Sequence, residues 1–255
     1  MIKKILLLIL VLTFVSCEKV DDDTRKDCSS NCTTIRGRFV SVNDEPVANM
    51  NVSLNYRISG GELGGGYTRK IVNLKSDKNG NFDQNFYIKD SELGRKEDGY
   101  FDIDITDSKI DVTKYIRQDN LIGTTTTVVS YQIYSITNRD TIINIDYYVP
   151  KKAFIKVNLN NFIPKDKEDF FEVQTLYPFG PNIGTNTFLD SKYSTGFSGY
   201  DTFKAKQLNT VLNVFVAEGE KNVIRVLKRK NGKSSSEDFP ITIPPNNTIE
   251  LTYEY

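Results

Sequence analysis

From residue 34 onward, apolar and polar positions alternate with a period of two, the mark of strands that turn one face to a core. Ile35-Arg36-Gly37-Arg38-Phe39-Val40 opens the pattern and Asn43-Asp44-Glu45-Pro46 reads as a turn. Val47 to Arg57 puts Met50, Val52, Leu54 and Tyr56 on one face, and the glycine-rich stretch Gly60 to Gly66 follows. Further strands are predicted over Arg69–Leu74, from the turn Ser76–Phe82 through Phe86 and Ile88, and over Tyr100–Ile105, Thr125–Thr137 and Thr141–Val149. Pro150-Lys151-Lys152 reads as a boundary. Beyond it come Ala153–Leu159, Phe170–Tyr177, Thr202–Ala205, Val211–Glu218, Val223–Lys228 and Thr248–Tyr255, with Asn231-Gly232 as a hairpin turn. The strands Thr141–Tyr148 and Thr248–Tyr255 echo each other and close the two halves. No stretch has a helical period of any length. The pattern predicts an all-β chain of two consecutive β-sandwich domains, 34–149 and 151–255.

The first 33 residues follow other rules. Lys3 and Lys4 precede an apolar run, Ile5 to Val15, and Ser16-Cys17 follows it. A basic start, a short apolar stretch and a small residue before a cut are the parts of a secretory signal peptide, here 1–16. The run is about half the roughly twenty residues needed to span a bilayer. Phe14-Val15-Ser16-Cys17 resembles the lipobox of bacterial lipoproteins, although Phe14 stands where that family more often has Leu. The resemblance implies cleavage before Cys17 and acylation of its thiol, with each buried methylene contributing ~0.8 kcal/mol to anchoring. Asp21-Asp22-Asp23 resembles the export tag on surface lipoproteins of the Bacteroidetes, which implies an outer-membrane protein facing the exterior. The polar segment 17–33 reads as a flexible acidic tether.

Composition narrows the field. The chain has 33 Lys and Arg against 33 Asp and Glu, and losing Lys3 and Lys4 with the signal peptide leaves a net −2. That balance gives no electrostatic footprint for nucleic acid. There is no histidine, which excludes histidine-dependent triads and argues against zinc. With Cys17 assigned to lipid, Cys28 and Cys32 are left as a candidate disulfide in an oxidising compartment.

The strands of the first half carry a second resemblance. Gly37-Arg38-Phe39-Val40, then Glu45-Pro46-Val47-Ala48-Asn49-Met50-Asn51-Val52-Ser53-Leu54, then Ser76-Asp77-Lys78-Asn79-Gly80-Asn81-Phe82 look like the carboxypeptidase regulatory-like domain. The match covers about Ile35 to Ile88 and implies a transthyretin-like sandwich, a non-catalytic appendage in that family. Gly60 to Tyr67 departs from the compact members. In physical terms, Pro46 presets a turn, Gly80 supplies a positive φ and Phe82 enters the core.

Each candidate for chemistry has a plainer account. Asp102 and Asp104 alternate with Ile103 and Ile105 and read as the solvated face of a strand rather than a glycosidase pair. Glu168 and Asp169 lie in a charged turn. Gly60–Gly66 lacks the Gly-Lys-Ser/Thr of a phosphate loop. Asp77, Asn79 and Asp83 resemble a calcium loop in composition, but Gly80 is misplaced for one. Phe179 to Tyr200 reads as a long loop. Its rings, Phe179, Phe188, Tyr193, Phe197 and Tyr200, either cover the end of a sandwich or bind a ligand.

The expectation is therefore a lipid-anchored, non-catalytic surface protein without cofactor or metal. It would be held to the membrane by its N-terminal lipid and would present a stalk or docking module to a surface protein or glycan. The alternatives are a pilin-like subunit that polymerises by strand donation, with Arg36 or Arg38 as a processing site, and a carboxylate-only hydrolase.

Overall fold

The computed structural model describes residues 18–61, 65–95, 98–106, 109–117, 128–133, 135–198, 203–245 and 247–255. The signal-peptide segment 1–16, Cys17, Tyr200 and the first residues of the strand expected from Thr125 lie outside the described residues. The all-β expectation holds: fifteen strands and two short 3-10 segments make up the described secondary structure.

Eight strands build the first sandwich: β1 (Lys19–Asp22), β2 (Thr33–Val40), β3 (Asn51–Ile58), β4 (Tyr67–Lys75), β5 (Asn81–Phe86), β6 (Tyr100–Thr106), β7 (Val128–Ile133) and β8 (Ile142–Tyr148). One sheet runs β1-β4-β3-β6-β7, and β8, β2 and β5 lie side by side in the other. Alternation buries Met50, Val52, Leu54 and Tyr56 on one side of β3 and in the strand's approach. They meet Ile35, Phe39, Phe82 and Tyr147 from the facing sheet. Two glycines are required here. A Cβ on Gly37 would lie 1.9 Å from the Ile145 carbonyl oxygen, because β2 and β8 run side by side at that point. Gly80 has φ +75°, and a Cβ there would meet the Phe39 carbonyl oxygen at 2.3 Å.

The second sandwich comprises β9 (Lys152–Asn160), β10 (Phe170–Asn186), β11 (Ser191–Phe197), β12 (Thr210–Ala217), β13 (Lys221–Lys230), β14 (Lys233–Thr242) and β15 (Ile249–Glu254). The sheet β12-β9-β15 packs on β10 and β13 through Ile155, Val157, Phe171, Val173, Val214 and Ile224. Asn231 and Gly232, both at positive φ, turn β13 into β14.

The two sandwiches share a sheet of order β14-β13-β10-β8-β2-β5. β10 crosses the boundary: Gly180 and Pro181 pair with Tyr148 and Tyr147 of β8. Along one face of β10, Phe171 and Val173 enter the second core, while Tyr177 and Phe179 enter the first.

Several expected boundaries shift. The segment expected as a flexible tether is fixed over Lys19–Asp22, which pairs in parallel with β4. Phe179–Tyr200, expected as a loop, is instead the far part of β10 and all of β11 over its described length, with register shifts at Pro178/Asn182 and Asn182/Asn186. Thr202–Ala205 forms no strand in its described part, where Lys204 makes a single bridge to Glu172.

Candidate functional site

Three regions carry the candidate functional residues: the N-terminal end of the first sandwich, the junction between sandwiches, and the β10–β11 hairpin.

At the N-terminal end, β1 is held by its edge and by its side chains. The Lys19 amide donates to the Gly66 carbonyl at 2.9 Å, and the Asp23 amide to the Lys70 carbonyl at 2.8 Å. Thr68 Oγ1 donates to the Glu18 carboxylate, and Tyr67 Oη to Asp21 Oδ2 at 2.9 Å. Burial and the Asp21 hydrogen bond push the Tyr67 hydroxyl well above its ordinary range. Period-two alternation places Arg69 on the face of Ile71, so a cation points inward and needs carboxylates. Arg69 is 4% exposed; its Nε pairs with Asp23 Oδ2 at 2.8 Å and its Nη1 with Glu92 Oε2 at 2.5 Å. Nη2 donates to the Tyr87 carbonyl at 3.0 Å. Burial opposes the Asp23 charge, but hydrogen bonds from Lys26 and Arg69 outweigh it and hold that carboxyl below the usual range. Cys28 and Cys32 form a disulfide, with Cα atoms 5.8 Å apart, between this strap and β2.

At the junction, Glu45 accepts from Lys114 Nζ at 2.8 Å and from Lys151 Nζ. Those hydrogen bonds hold its carboxyl below the usual range. Tyr148 Oη donates to Glu220 Oε1 at 2.5 Å, and its ring stacks on Tyr193 with centroids 4.9 Å apart.

The described members of the aromatic set, read either as a cover for the sandwich end or as ligand-binding rings, do not converge on one site. Phe179 is in the first core and Tyr193 is buried on Tyr148, because both lie on strand faces rather than in a loop. Phe188 and Phe197 remain substantially exposed, and Tyr200 lies outside the described residues. Phe188 takes the Arg225 guanidinium 5.6 Å from its ring centroid. With Leu189, Asp190, Lys221, Val223 and Pro240 it lines a cleft of about 260 Å³ on the outer face of the second sandwich.

The carboxylates are committed to structure. Asp102, expected to be solvated, is 6% exposed; Arg57 Nε lies 2.8 Å from its Oδ2, and Arg57 Nη2 lies 3.6 Å from Asp104 Oδ2. Burial, then the Asp104 charge, raise the Asp102 carboxyl above its ordinary range against the pull of Arg57. Asp169, also expected at the surface, is buried and accepts from the Lys165 and Asp166 amides, closing its own turn. Asp77 does the same with the Asn79 and Asn81 amides at 2.8 Å each. Among the described residues no group of three or more Cys, Asp or Glu is placed to hold a metal ion. No described helix is long and apolar enough to cross a membrane.

No protein-family model and no curated protein matches the chain. Among solved structures, the Bacillus anthracis TIE protein superposes at TM-score 0.29 and 14% identity, over 88% of this chain and 34% of its own. A streptococcal ancillary pilin superposes at 0.29 and 12% identity, over 87% of this chain and 62% of its own. The shaft pilin SpaA of Lactobacillus rhamnosus GG superposes at 0.29 and 10% identity, over 88% of this chain and 97% of its own. The chain thus spans about a third of the length of the first of these and less than two thirds of the second.

Proposed function

We propose that this chain is a non-catalytic surface stalk, held at the outer membrane by lipid on Cys17, that carries its second sandwich outward toward a surface protein or glycan. One observation supports the reading: strand direction puts the two attachments of the first sandwich at opposite ends. β1 enters beside Gly66 and Tyr67, at the end where β2 and β8 begin. The second sandwich starts at Lys151, where β2 and β8 finish, and β10 carries the shared sheet onward. Eight residues of β2 at about 3.3 Å each separate these ends by roughly 26 Å. The carboxylates Asp102, Asp104 and Glu45 fit the same reading, because each is paired with a cation that holds the fold.

The test is fractionation of Cys17→Ala beside wild type. Wild type is expected in the membrane fraction and the variant in the soluble one; a variant that stays with the membrane overturns the reading.

A second reading, a subunit that polymerises by strand exchange, is favoured by the side of the second sandwich where β14 and β15 lie. Both are terminal strands in their sheets, and β15 is the last strand, laid parallel on β9 with no fully buried residue. Electron microscopy of purified material is expected to show fibres if strands exchange. Monodisperse monomers at all concentrations remove this reading.

A further inference from the structure

We infer that the end of the first sandwich carrying Gly61, Gly66, Tyr67 and Tyr100 rests directly on the lipid headgroups, so that the anchor fixes the orientation of the whole molecule. The inference rests on the proposed acylation of Cys17 and adds to it a contact surface.

Fifteen flexible residues between Cys17 and Thr33 would give an r.m.s. reach of roughly 21 Å and let the fold tumble. The strap removes that slack. Glu18 already takes the Thr68 hydroxyl, and the Lys19 amide already pairs with Gly66. One peptide unit, about 3.8 Å between Cα atoms, separates the acylated residue from the first fixed one. The sandwich end beside Glu18 therefore has no room to stand off from the bilayer.

The residues at that end suit a headgroup layer. Tyr67 faces Lys19 across the β1–β4 pairing, and Tyr100 faces Arg57 across β3–β6. The Lys19 ammonium lies 5.5 Å from the Tyr67 ring centroid with its side chain 74% exposed, and Val20 beside it is 51% exposed. Tyrosine rings and lysines with apolar stems are the side chains that settle at a membrane interface. At Gly61 the space where a Cβ would lie is open.

The test uses the full-length lipidated protein in vesicles of phosphatidylethanolamine and phosphatidylglycerol that carry a headgroup quencher. A fluorophore is attached at Gly61→Cys in one sample and at Lys233→Cys, beyond the far end of β13, in another. Quenching at position 61 is expected to exceed that at 233 by about threefold or more, since the first sandwich alone separates them by some 26 Å. A Gly-Ser linker inserted between Cys17 and Glu18, adding about 20 Å of r.m.s. reach, is expected to remove most of that difference. Equal quenching at the two positions in anchored wild type overturns the inference and leaves the anchor standing, as does a linker that changes nothing. Absence of the acyl mass on Cys17 overturns both.

Discussion

A methyl group on Gly37 has nowhere to go: the Ile145 carbonyl oxygen would lie within 1.9 Å of it, and the Phe82 ring within 2.8 Å. Gly37→Ala is expected to cost about 3 kcal/mol, because backbone on one side cannot yield, and a urea titration will read it. Tyr177 is the opposite case. Its ring fills the first core, while its hydroxyl is buried with no hydrogen-bond partner among the described residues. Tyr177→Phe is expected to leave stability unchanged or raise it by up to about 1 kcal/mol in the same titration. Arg69 answers to charge. Arg69→Met leaves Glu92 buried without its cation and Asp23 with Lys26 alone, at an expected cost of about 3–5 kcal/mol. Because the folded Asp23 carboxyl is held below its unfolded value, its contribution is present above the unfolded pKa, about 3.9, and is lost as pH falls through the lowered native value. The gap in stability between wild type and Asp23→Asn is therefore expected to be widest near neutrality and to close in acid. At this scale the sequence was partly readable. Gly37, Gly80 and Phe82 stood in a recognisable order, and Arg69 opened an expected strand, although nothing in the sequence marked it as buried. Its partners were not readable, since both are distant in sequence: the parallel pairing of β1 brings Asp23, and the short 3-10 segment Asp90–Arg95 brings Glu92.

Strands were legible where one face is buried and one is wet. β9 alternates most cleanly, β2, β3, β6 and β13 alternate over part of their length, and their expected bounds fall within a few residues of the observed ones. Three strands carry no such signal. β14 is almost wholly exposed on both faces, so Lys-Ser-Ser-Ser-Glu-Asp has nothing to alternate, and its register comes from the Asn231-Gly232 turn. β1 is short and acidic, and pairing with β4 rather than apolar burial keeps it in place. The far half of β10 contains Pro178, Gly180 and Pro181, residues that signal loops; here they mark shifts and a bend in a strand that continues. The Cys28–Cys32 bond acts on β1, whose chain it follows. Closing a loop this short contributes roughly 2 kcal/mol by chain entropy. Cys28→Ser/Cys32→Ser is expected to raise hydrogen exchange at Lys19–Asp22 while leaving the amides of β9 and β12 unchanged.

At the scale of the molecule, Pro150 lies between β8 and β9 as the sequence suggested for a boundary, but the sheet and the first core run across it, which the sequence did not signal. Two rings from the second half are shared with the neighbouring unit: Tyr177, expected at the end of a strand, and Phe179, expected in a surface loop, complete the first core. Fully burying one such ring stabilises by about 1.5–3 kcal/mol, so a fragment ending at 150 loses a sizeable part of a marginal total. The isolated 18–150 fragment is expected to melt well below the full chain, or to lack near-ultraviolet circular dichroism. The full chain is expected to unfold in one transition by calorimetry.

The unbroken strand β10 also determines how the molecule bears load. A pull applied at the far tip of the second sandwich runs along β10 and crosses to β8 through the pairs at Tyr147 and Tyr148. Strands joined this way resist by sliding, with both pairs loaded together rather than opened one after the other. The two pairs between β10 and β8 are the shortest strand link in that line, fewer than the four parallel pairs of β1 with their Arg69 clasp, so the junction between the sandwiches is where the strand pairing would yield first.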